Sequence, residues 1–192
     1  MDYEITVSGS TRSVPAGTNI LLMHPSTGET DRIDTDFLKT DTDRFLVVST
    51  RTTAREVRQK LEYYDVDESR ADILDTLSVE RGYSRRTSEH VHYVSSPDDT
   101  DAVVEQVQAF FDRTDGKRRL SFDSITELAY YAGDETAIDA VERMVSLVDD
   151  HDAVSLCHLS PEVHDDDDLA AYRDLFGGVI ELSENGDLNV DL

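Results

Sequence analysis

The sequence predicts an α/β fold, a three-layer domain with a mostly parallel sheet, helices on both faces and antiparallel strands at the C-terminal end. Three observations predict it. Short unbroken apolar runs such as Ile20 to Met23 and Phe45 to Val48 have the pattern of strands covered on both faces. They alternate with stretches whose apolar residues recur at helical spacing, as Val57, Leu61 and Tyr64 do. Asn185-Gly186 then supplies a hairpin turn between two late apolar runs. At 192 residues the chain suits one domain, residues 1–192, with 1–14 as an edge strand or arm.

Taken in order, Tyr3 to Val14 alternates through Tyr3, Ile5 and Val7 and reads as one short edge strand or arm. Ile20 to Met23 is a buried strand stopped by the turn Pro25 to Gly28. Thr30 to Lys39 carries Ile33, Phe37 and Leu38 at helical spacing, which places Asp31, Asp34 and Asp36 outward. Arg44 to Thr50 is a second buried strand, and Thr53 to Val66 an amphipathic helix. Ile73, Leu74 and Leu77 fit a strand or a helical turn, Gly82 to Thr87 an exposed loop, and Val91 to Ser95 another strand.

Ser96-Pro97-Asp98-Asp99 offers an N-cap and an acidic first turn to a helix over Ala102 to Arg113. Lys117 to Asp123 is a strand ending in an aspartate, Thr136 to Asp149 a helix, and Ala153 to Leu159 a buried strand. Pro161 to Asp168 is an acidic loop and Asp168 to Phe176 the last helix, ended by Gly177-Gly178. Val179 to Leu182 and Leu188 to Leu192 are two antiparallel strands that close the sheet. In such sheets ligands bind outside the carboxyl ends of the strands.

Composition narrows the function. Forty-two acidic residues against 18 basic ones give a formal charge of −24, and Lys39, Lys60 and Lys117 are the only lysines. Acid spread along a folded chain repels itself unless salt screens it, and the composition resembles cytoplasmic proteins of salt-accumulating haloarchaea. Nucleic acid is a poor partner at this charge. No apolar run is long enough to span a bilayer, and Met1-Asp-Tyr-Glu4 lacks a basic segment ahead of an apolar one, so a cytoplasmic protein without a membrane partner is expected. The single cysteine, Cys157, excludes an internal disulfide.

The turn after the first buried strand is where a phosphate-binding loop would sit, with free backbone N–H groups at a helix N-terminus. The pattern G-x-x-x-x-G-K-[ST] can be laid over Met23 to Thr30, with Gly28 as second glycine and Thr30 as hydroxyl. Met23 stands at the first glycine and Glu29 at the lysine, so a group that would attract phosphates is replaced by one that repels them. Gly28 and Thr30, with Ser26 and Thr27 between strand and helix, either hold a nucleotide through N–H and hydroxyl groups or only make the turn.

Other residues divide the same way between chemistry and architecture. His24 is an anion contact or a hydrogen-bonded filler, and Glu127 a displaced catalytic carboxylate or a surface residue. Cys157, His158 and His164 beside Asp165 to Asp168 could hold a metal, yet neighbours on a strand point to opposite faces. Arg81, Arg85 and Arg86 around Tyr83 form a basic cluster and read as a partner-binding loop or a salt-bridged surface.

Arg119-Leu-Ser-Phe-Asp-Ser-Ile-Thr-Glu-Leu128 resembles the Walker B strand of the KaiC-like branch of the RecA-type ATPases, and Leu169 to Leu182 resembles that branch's late helix and Val-Ile-Glu-Leu-like strand. With the degenerate loop, the match runs from about Val14 to Leu182, and the chain is similar to abbreviated KaiC-like proteins of haloarchaea. The resemblance implies a RecA/KaiC-like P-loop NTPase fold, ATP and Mg²⁺ as ligands, and Asp123 as the magnesium-side aspartate beside Thr30. It also implies a Glu-Glu pair after the second strand, where this chain reads Ser49-Thr50-Arg51-Thr52. Without a base or a lysine, phosphoryl transfer has lost its parts. The expected protein is a catalytically inactive regulatory or signalling domain, with no catalytic residues, that binds a protein partner. The alternatives are a nucleotide sensor, or a slow ATPase in a homo-oligomer where a neighbour supplies an arginine such as Arg51 or Arg85.

Overall fold

A computed structural model describes residues 1–85 and 88–192. Two strands, β1 (Asp2–Val7) and β2 (Ser10–Pro15), form a separate antiparallel hairpin. Eight more form the main sheet: β3 (Asn19–Met23), β4 (Arg44–Ser49), β5 (Ala71–Asp75), β6 (Val91–Tyr93), β7 (Arg118–Asp123), β8 (Val154–Leu159), β9 (Gly178–Leu182) and β10 (Leu188–Asp191). Their order is β10-β9-β3-β8-β7-β4-β5-β6, so β8 lies between β3 and β7. The helices are α1 (Asp31–Lys39), α2 (Ala54–Tyr63), α3 (Thr100–Arg113), α4 (Ile125–Ala132), α5 (Asp134–Asp150) and α6 (Asp166–Arg173).

Alternation along each strand builds two cores. Leu21, Met23, Leu46, Val48, Leu120 and Phe122 face α3, α4, α5 and α6. Ile20, Leu22, Phe45, Val47, Val154 and Leu156 face α1, α2 and the hairpin. Helices on both faces of a mostly parallel sheet make the expected three layers. No helix among the described residues is long and apolar enough to cross a membrane.

The structure corrects three local expectations. Tyr3 to Val14 is two strands, because Ser8 (φ 49°) and Gly9 (φ 77°) reverse the chain, although Tyr3, Ile5 and Val7 do face inward. Strands β9 and β10 form the expected antiparallel C-terminal pair, which joins the sheet through β9 running parallel to β3. Helix α4 was not anticipated; Ser124 caps it by accepting from Glu127 N–H, Ile125, Leu128 and Ala129 are buried, and Gly133 (φ 82°) ends it. Asp34 does not face outward: its residue is 0% exposed, because α1 lies flat on the sheet and its polar flank meets α2.

Candidate functional site

The candidate site is built at the carboxyl ends of β3, β4, β7 and β8. Beyond β3, His24 N–H donates to Leu159 O at 3.0 Å, and Gly28 N–H closes a turn onto Pro25 O at 2.7 Å. A Cβ on Gly28 would lie 3.0 Å from Pro25 O and 3.4 Å from Leu182 Cδ2, so the glycine is needed for close approach. Ser26, Thr27 and Glu29 are exposed. The Ser26 N–H donates to Glu162 Oε1 at 2.5 Å, so this loop donor is already paired with a carboxylate of the protein. Burial opposes ionisation of Glu162, but the bonds from Ser26, its own backbone N–H and the nearby His24 together outweigh it and hold the carboxyl below its ordinary value. Thr30 is buried at the start of α1, and its side chain makes no capping bond.

Asp123 ends β7 and faces the Arg51 guanidinium at 3.4 Å, while Arg51 Nε lies 3.9 Å from Glu127 Oε1. Behind it stands a buried polar cluster. Asp34 accepts from Lys60 Nζ at 2.7 Å and from Ser121 Oγ at 2.5 Å. His158 lies 3.5 Å from Asp34 through Nε2 and 3.9 Å from Asp123 through Nδ1. Its ring meets His24 edge-on at 5.3 Å between centroids. Burial alone would raise the Asp34 pKa, but the Lys60 charge, the nearby His158 and the bond from Lys60 hold it far below the carboxylate range. The same pairing overrides burial for Lys60 and raises its value. Burial, then the neighbouring His158, lowers the pKa of His24.

The loop and Asp123 do not share a cleft. Ser26 and Thr27 line a groove of about 860 Å³ with Glu162, Leu182 and Leu188. Gly28 and Glu29 line one of about 730 Å³ with Arg32 and Ile33. Arg51 and Glu127 instead line a cleft of about 500 Å³ with Arg81, Tyr130, Tyr131 and His164. For Mg²⁺ the donors fit poorly, since Asp123 already faces a guanidinium. Among the described residues no group of three or more His, Cys, Asp or Glu is arranged to hold a metal ion.

The remaining expected site residues are placed as follows. Arg81 donates to the Tyr131 hydroxyl at 3.4 Å. Tyr83 is 49% exposed in a second groove with Arg55 and Arg58, and Arg85 is exposed. Arg86 lies outside the described residues. Glu127 is in the capping arrangement of α4, and Cys157 and His158 face opposite sides of the sheet. His164 bridges Asp134 at 3.1 Å and Thr126 at 3.0 Å. Sequence reasoning missed Asp34, Lys60 and Glu162. The spacing of Asp34 from Leu38, one helical turn, was the available signal that it shares an inward row.

Over residues 1–192 the chain matches the family of unknown function DUF7090. It belongs to that family. No curated protein matches it in sequence. Among solved structures, a KaiC-like protein from Pyrococcus horikoshii is similar at 13% identity, with TM-score 0.61 over 92% of this chain and 77% of that one. An uncharacterized P. horikoshii protein in complex with an unknown peptide is similar at 15% identity, with TM-score 0.69 over 92% of this chain and 84% of that one. An ATPase of the type III secretion system of pathogenic bacteria is similar at 12% identity, with TM-score 0.62 over 91% of this chain. The chain spans about half of that ATPase, 53%. At these identities the likeness shows the fold, which is RecA/KaiC-like, as the DUF7090 chain's Walker B-like segment implied.

Proposed function

We propose that this DUF7090 protein is a RecA/KaiC-like domain without phosphoryl-transfer chemistry that acts by binding a protein, as a regulatory component of a salt-rich cytoplasm. One observation carries the reading: the chain's own charges stand where a nucleotide and its metal would be. Glu162 caps the Ser26 N–H, Arg51 faces Asp123, and Glu29 replaces the lysine. An incoming triphosphate would have to displace a carboxylate and pass a second one without a lysine to clamp it. Arg51 is turned to its own Asp123, which argues against its service to a neighbour's loop.

Protein binding is supported by the cleft at Arg51, where Tyr130 is 83% exposed beside Arg81 and Tyr131, the residue types that anchor interfaces. The related P. horikoshii structure holds a peptide. The high negative charge supports the salt-rich setting. The test is calorimetric titration of ATP with Mg²⁺ in molar KCl, run on the native protein and on Glu29→Lys. No heat from the native protein is expected, and binding by the variant would mean an intact scaffold with a lost lysine. Native ATP hydrolysis would overturn the proposal.

A further inference from the structure

At the opposite, amino-terminal end of β5, four side chains from β4, α3, β6 and the turn before β6 converge on one buried carboxylate. Asp72 is 0% exposed. Its Oδ2 accepts from Arg44 at 2.6 Å and its Oδ1 from Arg113 at 3.0 Å, with His90 Nδ1 at 3.3 Å and His92 Nε2 at 3.4 Å. Arg113 also contacts His92 at 3.0 Å, and Arg44 contacts His90 at 3.4 Å. One arginine would suffice to compensate a buried aspartate. Two guanidiniums against one carboxylate leave a positive excess even with both imidazoles neutral.

Among the described residues neither guanidinium forms an ion pair with any acid other than Asp72. Asp43, next to Arg44, accepts from Lys117 N–H at 2.8 Å, and Asp112, next to Arg113, faces His151 at 3.5 Å. Arg44 also donates to Ser69 O at 3.1 Å, and every side-chain bond described for Arg113 goes to Asp72 or His92. The side chains of His90 and Arg113 are 44% and 37% exposed, so spare donors reach the surface. Asp72 anchors this cationic rim, since burial alone would raise its pKa while His92, Arg44 and Arg113 hold it well below the carboxylate range.

We propose that Arg44, His90, His92 and Arg113 bind a tetrahedral oxyanion of the phosphate class on the solvent side of Asp72. Guanidinium forks match such oxyanions, and four convergent donors suit a tetrahedral acceptor better than a planar one. Arg44 and Asp72 stand at the amino-terminal ends of β4 and β5 whereas Asp123 stands at the carboxyl end of β7, and the inference does not rest on the proposed function.

The test is NMR of the six histidine side chains while inorganic phosphate replaces KCl at constant ionic strength. Saturable shifts of His90 and His92 are expected, with His24 and His158 unmoved. Arg113→Gln should weaken binding by about tenfold or more, the scale of a charged hydrogen bond. His90→Gln, at an exposed position, should weaken it without disturbing the fold. A parallel titration with phenyl phosphate separates sources: a response to both probes assigns a phosphate group carried on a larger molecule, and to inorganic phosphate alone the free ion. If His90 and His92 respond no more than His164, or if both variants bind as the native protein does, the site does not exist.

Discussion

Lys60→Met tests the buried cluster behind Asp123. Lys60 Nζ sits 2.7 Å from Asp34 Oδ2, with its side chain only 15% exposed. At an effective dielectric of about 20 that separation is worth about 6 kcal/mol of attraction, most of it offset by desolvating both charges. Methionine keeps the length of the stem and removes the charge, which leaves Asp34 buried with Ser121 and His158. Uncompensated buried charges of this kind cost about 3–5 kcal/mol. In the native protein the Asp34 pKa is depressed, so its contribution is present above the ordinary carboxylate range and is lost as the pH falls through the folded value. In the variant, burial dominates and the sign reverses. Asp34 then prefers its proton when folded, so the deficit is fully present at neutral pH and shrinks on acidification into the ordinary carboxylate range. Urea denaturation followed by circular dichroism in molar KCl, at neutral pH and near pH 4, measures both limbs. Adding Asp34→Asn to Lys60→Met should recover at least about half of the loss, because no buried charge remains. A neutral-pH deficit below about 1 kcal/mol, or one that grows in acid, refutes the reasoning.

Three further outcomes are expected. Cys157 is buried and burial pushes its thiol to about 12, so iodoacetamide should modify it only after unfolding in urea; prompt labelling of the native protein would contradict its placement. Arg119 is fully buried against Tyr3 and Phe37, and burial lowers it to about 10, so Arg119→Met should change stability by less than about 1.5 kcal/mol while Arg119→Ala costs about 3, read from urea midpoints. Tyr3 OH donates to Asp152 O at 2.9 Å and accepts from Arg118 N–H at 3.0 Å, tying the hairpin to the sheet. Tyr3→Phe should therefore cost about 1–3 kcal/mol and leave the far-ultraviolet spectrum unchanged.

The order of elements was legible because both periodicities are strong where an element is covered. The all-buried runs of β3, β4 and β8 and the stripe of α3 depend on nearest neighbours in sequence, and each lies within a few residues of its expected bounds. What failed was local geometry set by single residues. Ser8 and Gly9 turn the first stretch back on itself, and Ser124 with Glu127 starts a helix where the resemblance to a Walker B segment drew attention to Asp123 instead. The direction of β9 depends on its partner β3, more than 150 residues earlier, and no local pattern records that pairing.

The candidate site was legible in its losses and opaque in its replacements, for a physical reason. Met23, Glu29 and Arg51 can be read as departures because a motif fixes what should stand at those positions. Lys60, Glu162 and His158 belong to no motif, and they reach the site from α2, from the turn after β8 and from β8 itself. Each satisfies a charge or donor that the fold still provides: Asp34 at the start of the sheet-facing row of α1, and the Ser26 N–H of the loop. A buried carboxylate cannot remain uncompensated at a cost of several kcal/mol in a domain whose total stability is of order 5–15 kcal/mol. The lysine that compensates Asp34 is therefore a structural requirement of the cluster. For the same reason Glu29→Lys adds a cation at an exposed position without relieving the internal pairs, so any gain in ATP binding it produces would report on the loop alone.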